Sequence, residues 1–366
     1  MYGDIIEIAQ NTLLVEGKIP STIMKEPDIA NSLVYKVGDT VYLLDTGATT
    51  FFRERLHKAI EQLKPFKRFI LFNSHEHPDH VGNNAIIKEI DAEVKKHYIS
   101  QSGIAGLNVE QDFYRKFKSI RKYYDYIDGL TRFPFTLMRL LKLTRIMGDD
   151  MPLRIIIPRV LKKFMPIESS IETAIPFEKN DFSELSIGST NWTGWNFDND
   201  VYAMAARGHS PSEIVFYLPK VKTLFLADET FEFFNCWPDS SAKAVKEVLN
   251  KAIEMFKSGK AEILISGHTH KVIKGNDTID FLSTLLKDYE EFTEAVLKIA
   301  GSHSNGLTVN EIYNKLKDRR DIPAIKKYLS IEFPKMPPFL KTVITSLLLE
   351  YGCKPEGKIG RKRFVL

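Results

Sequence analysis

Hydrophobic and polar positions change period several times along the chain. Up to Gly47 four short runs, Ile5 to Ile8, Thr12 to Val15, Ser32 to Val37 and Val41 to Leu44, read as strands, and the last ends in Asp45-Thr46-Gly47. Phe51 to Leu63 then mixes charged and apolar residues with helical character. The apolar run Phe69 to Phe72 predicts a buried strand, with a short helix over Asn84 to Ile90 and a strand near Ala92 to His97 behind it. Strand patterns return at Val201 to Ala205, Glu213 to Tyr217, Thr223 to Leu226 and Glu262 to Ile265, with a helix from about Ser241 to Phe256. Such interleaving of strands and helices predicts an α/β fold, whose chemistry sits on the loops after the strands.

Two stretches depart from this pattern. Residues from about 100 to 172 are rich in Tyr, Phe, Lys and Arg and broken by Pro134, Pro152 and Pro158, which marks an insertion. Within it Arg139, Lys142 and Arg145 recur every three residues among apolar neighbours, the spacing of a basic amphipathic helix. Tyr123, Tyr124 and Tyr126 lie beside Arg121 and Lys122. The insertion could be a packed helical cap, a lid selecting an apolar or acyl substrate, or a membrane-surface or dimer contact.

Near the other end, Asn276 or Asp277 is placed to cap a long helix with apolar positions Ile279, Leu282, Leu286, Tyr289, Phe292, Val296 and Ile299, and Gly301 just past its end. Leu307 to Ile312 opens a further helix, Phe339 to Tyr351 is another, and Gly357 to Leu366 reads as a basic hairpin. Helices followed by a hairpin suggest a winged-helix-like module. Residues 1–275 and 276–366 are therefore expected to form two domains. The hairpin's Lys358, Arg361, Lys362 and Arg363 suit phosphates, a solvated surface or a dimer contact, so no binding role is assigned to them.

Composition narrows the class. The chain has 366 residues, 43% of them hydrophobic, enough for a sizeable core. Its formal net charge of +4 is mild and spread out, so bulk electrostatics do not demand a nucleic acid or membrane partner. Only Cys236 and Cys353 are present, far apart, which argues against a disulfide scaffold and against thiolate ligation of a metal. No signal-peptide pattern opens the chain and no apolar run is long enough to span a bilayer, so a cytoplasmic location is expected.

The candidate chemistry is concentrated in His75-Glu76-His77-Pro78-Asp79-His80, directly after the Phe69 to Phe72 strand. Imidazoles and carboxylates suit zinc and related borderline cations, and a coordination position left open beside them lets water ionise near neutral pH. Further ligand types stand at later strand ends, in Gly208-His209-Ser210-Pro211, Ala227-Asp228 and Gly267-His268. His270, two residues beyond, is more simply a loop residue than a substrate contact.

Taken in order, Asp45, the His75 to His80 cluster, Gly208-His209-Ser210, Ala227-Asp228 and Gly267-His268 resemble the five motifs of the metallo-β-lactamase superfamily, nearest to glyoxalase II-like hydrolases. The resemblance covers residues 1 to about 272 apart from the insertion. It implies a four-layered αββα sandwich, with His75, His77 and His209 on one cation, Asp79, His80 and His268 on a second, and Asp228 bridging. Asp45 is implied to orient a ligand imidazole. Asp79 and Asp228 are the carboxylates expected at the catalytic centre. Two divalent ions are implied, zinc first, with iron or manganese as alternatives. Departures are small: Glu229 follows Asp228, and Asn83 stands where many relatives carry a second glycine.

The expected activity is hydrolysis of a small or lipid-like ester, thioester or related substrate by a metal-bridging hydroxide. One alternative is a phosphodiesterase or nuclease. The nucleases of the superfamily with a large domain between the fourth and fifth motifs are excluded, because only 40 positions separate Asp228 from His268. Another is a mononuclear iron sulfur dioxygenase using His75, His209 and Asp228. A flavodiiron role is disfavoured by His77, where that group resembles a Glu, and by the lack of a flavin-type segment.

Overall fold

The structure, a computed structural model, describes residues 3–18, 29–112, 115, 126–127, 168–230, 237, 239–268, 272–330, 339–357 and 362–365. The expected basic helix with Arg139, Lys142 and Arg145 lies outside the described residues, as do Tyr123, Tyr124, Cys236, His270, Lys358 and Arg361.

The first sheet follows chain order, β1 to β7: Ile5–Ala9, Thr12–Val15, Ser32–Val37, Thr40–Leu44, Arg68–Phe72, Val94–Ile99 and Ala174–Pro176. β1 to β4 pair antiparallel, and β4 to β7 pair parallel. The second sheet runs β8 to β14, namely Ser183–Ile187, Thr190–Phe197, Val201–Ala205, Ile214–Leu218, Thr223–Phe225, Ile263–Ile265 and Ile273–Lys274. All its neighbours are antiparallel except β12 with β13. β10, β12 and β13 therefore end on the same edge.

Because side chains alternate along a strand, each sheet offers two faces, and here both faces of the first sheet are covered. Leu33, Tyr35, Tyr42, Leu44, Ile70 and Phe72 point between the sheets, where they meet Trp195, Phe216 and Phe225. Their neighbours Val34, Val41, Leu43, Phe69 and Leu71 point the other way, onto helices α1 (Thr50–Gln62) and α3 (Ile86–Glu89). On the outer face of the second sheet lie α4 (Ala242–Lys257) and α5 (Asn276–Gly301). Helix, sheet, sheet, helix is the four-layered αββα sandwich.

Sequence periodicity falls short in four places. β7, β8 and β9 escape it, since β8 and β9 alternate with polar residues and Gly194 interrupts the longer strand. A Cβ at Gly194 would meet the Ala203 carbonyl oxygen at 2.0 Å, so the glycine lets β10 approach. The helix expected from Asn84 to Ile90 is shortened to α3, because the Asn84 amide is committed to Asn73, Thr46 and Ser170, and a separate single turn, α2 (Pro78–Val81), precedes it. Gly275, not Asn276 or Asp277, is the N-cap of α5, and Gly301 is its last residue. Leu307 begins the short strand β15 (Leu307–Thr308), and Thr308 caps α6 (Val309–Lys317) in a reciprocal box with Glu311.

β15 joins β16 (Lys354–Glu356) and β17 (Arg363–Val365) in a small sheet, next to α6, α7 (Pro323–Ser330) and α8 (Phe339–Glu350). These elements share one apolar cluster with α4 and α5. At the end of α8 the Glu350 carboxylate accepts from Ser241 Oγ at 2.7 Å and from the backbone N–H groups of Ala242 at 3.0 Å and Lys243 at 3.2 Å. A carboxylate on those free N–H groups complements the positive end of α4. Tyr126 packs on Phe364 with ring centres 5.5 Å apart, so the insertion touches this small sheet.

Phe72 stands at the centre of the inter-sheet layer, with ring contacts to Tyr42, Tyr98, Phe177, Phe197 and Phe216 at 4.7 to 6.0 Å. Phe72→Ala is expected to lower the unfolding free energy by about 3–5 kcal/mol in denaturant titration. A loss below about 1 kcal/mol would mean that the two sheets close over the gap.

Candidate metal centre

Five strand ends on one edge of the sandwich carry the candidate residues. Asp45 follows β4, Ser74 to His80 follow β5, His209 follows β10, Asp228 follows β12 and His268 follows β13. The two sheets are stitched together there. The Asn31 backbone N–H donates to Gly267 O at 2.7 Å and its side-chain amide to Ser266 O at 2.9 Å, while Ile214 N–H donates to Ser74 O at 2.9 Å.

The packing produces two adjoining groups. His75, His77, His209 and Asp228 bring one ligand atom each within 4.8 Å of one another, and so do Asp79, His80 and His268. Six of these residues are buried and Asp79 is partly exposed. Asp228 faces both groups. Its Oδ2 lies 3.4 Å from His209 Nε2 and 3.9 Å from His75 Nε2, and its Oδ1 lies 3.2 Å from His80 Nε2 and 3.3 Å from His268 Nε2. Asp79 Oδ2 stands 3.2 Å from His268 Nε2 and 3.5 Å from His80 Nε2, and His77 Nδ1 stands 3.1 Å from His209 Nε2. Tetrahedral ligands roughly 2.1 Å from a zinc-sized ion stand about 3.4 Å apart. Five imidazoles and two carboxylates at these separations fit a pair of divalent cations in donor type and in spacing.

Electrostatics point the same way. Burial alone would drive the Asp228 carboxyl toward its neutral form, but His268, His80 and His209 outweigh it and hold the group well below the usual carboxylate range. Burial likewise opposes a charge on His80, yet Asp228, Asp45 and Asp79 raise its pKa well above the usual value. His97 is the contrast: buried beside Asn73 and Thr173, with no such carboxylate cage, it falls to about 3 and stays neutral.

Each group rests on further polar residues. Asp45 Oδ2 lies 2.8 Å from His80 Nδ1, and the Asp45 carboxylate also accepts from Ser74 N–H at 2.8 Å and Ser74 Oγ at 2.7 Å. Glu213 and Glu229 had no site role in the sequence reading. Glu213 Oε2 lies 3.1 Å from His75 Nδ1, and its Oε1 accepts from Asp228 N–H at 3.1 Å. Glu229 Oε1 accepts from the N–H groups of Gly208 at 2.8 Å and His209 at 3.2 Å. Burial, then Glu229 and Asp228, push the Glu213 carboxyl well up; burial lifts Glu229 to about 7, partly offset by its two N–H donors. The one available signal was an acidic residue beside an apolar strand, which is too common to single them out.

The glycines before His209 and His268 have a steric cause. A Cβ at Gly208 would meet Glu229 Oε2 at 2.2 Å, and one at Gly267 would meet Asp228 Oδ1 at 2.3 Å. The Trp237 ring lies 5.7 Å from that of His77, edge-on to it.

The sequence profile of the metallo-beta-lactamase superfamily matches residues 26–161. Among solved structures, a metallo-beta-lactamase family protein from Thermus thermophilus aligns over 98% of this chain and 99% of its own, at 16% identity and a TM-score of 0.59. A beta-lactamase domain protein from Burkholderia ambifaria aligns over 99% and 93%, at 13% identity and a TM-score of 0.58. The stereoselective inverting sec-alkylsulfatase of a Pseudomonas species aligns over 96% of this chain and 50% of its own, at 17% identity and a TM-score of 0.54. No curated protein matches by sequence. The matched stretch holds Asp45 and the His75 to His80 cluster, and the αββα layers are the fold that this chain shares with these metallo-beta-lactamase family structures.

Proposed function

We propose that this protein is a hydrolase dependent on two divalent cations, zinc first, acting on an ester, thioester or related small or lipid-like substrate. The observation that carries the reading is Asp228, a buried carboxylate with one oxygen toward each imidazole group at ligand-to-ligand distance. His75, His77 and His209 would hold one cation, Asp79, His80 and His268 the other, and Asp228 both. Bound there, divalent cations supply Lewis acidity and lower the pKa of water to near neutrality.

The chain's own part is positioning and charge. Asp45 holds His80 by Nδ1 and Glu213 holds His75 by Nδ1, which aims each Nε2 inward. The ligand set carries only two negative charges, Asp79 and Asp228, so the loaded centre stays electropositive toward an oxyanion developing on the substrate. Trp237 beside His77 offers an apolar wall for the substrate's non-reacting part.

Protein purified without added metal is expected to contain about two zinc equivalents per chain. One iron would favour dioxygenase chemistry, and no metal would sink the metalloenzyme reading. Asp228→Asn should cut ester or thioester turnover by roughly a thousandfold or more with unchanged circular dichroism; retained turnover would remove Asp228 from the centre.

Asp45→Ala should weaken metal affinity roughly 10–100-fold in a competitive chelator assay, because His80 loses its orienting acceptor. An unchanged affinity would leave Asp45 as a loop-structuring residue.

The pH dependence follows from His80. Its raised pKa in the metal-free fold stabilises that fold below the unfolded-state value, and the contribution is lost as pH rises through the folded value. Ligation needs the neutral ring, so metal binding at neutral pH should release about one proton and tighten as pH rises. Calorimetry in two buffers of different ionisation enthalpy measures this, and zero proton release would contradict it.

A further inference from the structure

Three non-glycine residues at the site's strand ends have left-handed backbones: Asp45 at φ 56°, Arg207 at φ 61° and Ala227 at φ 44°. Asp45 turns its carboxylate to Ser74 and His80, and Ala227 sets the turn that delivers Asp228. Arg207 belongs to neither group. Its N–H and that of Ala206 both donate to the Glu213 carbonyl, at 3.2 and 3.0 Å, and this closure fixes the turn. Glycine would adopt that conformation without steric strain, whereas arginine does so at a cost, and an outlier of this kind beside a site points to a role for the side chain.

The guanidinium is exposed and makes no salt bridge among the described residues. It lines a cavity of about 520 Å³ with Ser100, Ser102, Glu178, Pro211 and Asp239. Arg207 and Pro211 each stand two residues from His209, so the cavity adjoins the loop that carries a candidate ligand. Glu178 is already engaged, accepting from Ser100 Oγ at 2.9 Å and Gln101 N–H at 2.8 Å. Among the described residues Asp239 has no such partner, and it shares the cavity with Arg207 beyond salt-bridge distance. A simple anion on Arg207 would face two carboxylates, while a dipolar group satisfies both free charges at once.

We propose that this cavity binds a zwitterionic, amino-acid-type part of the substrate, with its carboxylate on Arg207 and its ammonium on Asp239, beside the bond that is hydrolysed. The assignment names a substrate class for the hydrolase reading above and rests on it.

Calorimetric titration of the metal-loaded protein with three probes tests the proposal. L-Glutamine carries both charges, glutaramate is the same chain without the ammonium, and 4-aminobutanamide is the same chain without the carboxylate. Glutamine is expected to bind about tenfold or more tighter than either, the effect of one charge-assisted contact. Arg207→Gly should bring glutamine down to the level of 4-aminobutanamide, and Asp239→Asn down to that of glutaramate. Chelation by the metals would survive both changes. The melting temperature of Arg207→Gly should equal or exceed that of the unsubstituted protein, so that lost binding is not lost folding. Equal affinities for the three probes, no binding at millimolar concentration, or unchanged glutamine binding in Arg207→Gly would overturn the proposal. Metal content measured on the same samples separates the two readings: two equivalents without glutamine binding overturns the cavity assignment alone, and absent metal overturns the hydrolase.

Discussion

The contact on which the site depends is the buried Asp228 carboxylate between two sets of imidazoles. Its two oxygens reach four histidines drawn from three loops. Removing so many ionisable groups from water is costly unless opposite charges or a metal compensate. The carboxylates around His80 push its pKa up, and the imidazoles around Asp228 hold its pKa down. The same groups with their protons displaced are a ligand set, so the strain of burial and the affinity for a cation have one origin.

Rigid supports hold that arrangement. Polar side chains that touch the ligands are themselves fixed by backbone groups, as Asp45 is by Ser74 and Glu229 by Gly208 and His209. Left-handed residues cluster at these strand ends, and the glycines at 208 and 267 leave room for carboxylates that any side chain would displace. Irregular backbone is thus concentrated where the chemistry lies, with regular sheet behind it.

One connection from the C-terminal elements to this edge runs through a helix end. Glu350 caps the start of α4, and the first N–H of that turn, from Ser241, donates to Gly208 O at 2.7 Å. Gly208 precedes His209. A change in the packing of α8 therefore has a short covalent and hydrogen-bonded route to a candidate ligand.

Much was legible in the sequence because the governing interactions are local. Short apolar runs marked β2 to β5 and β10 to β13 to within a residue or two, since strands covered on both faces read as continuous apolar stretches. Ligand-type residues at strand ends, and the order of their motifs, marked the candidate centre. Tertiary structure decided the rest. β8 and β9 have their register from neighbours, not from a strong pattern of their own, and Glu213, Glu229 and Arg207 gain meaning only from what packs against them. His77 and His209 are 132 positions apart and become neighbours because two sheets close on one hydrophobic layer. Local sequence can encode the residue and the loop that carries it; the distance between loops is set by packing across the sandwich.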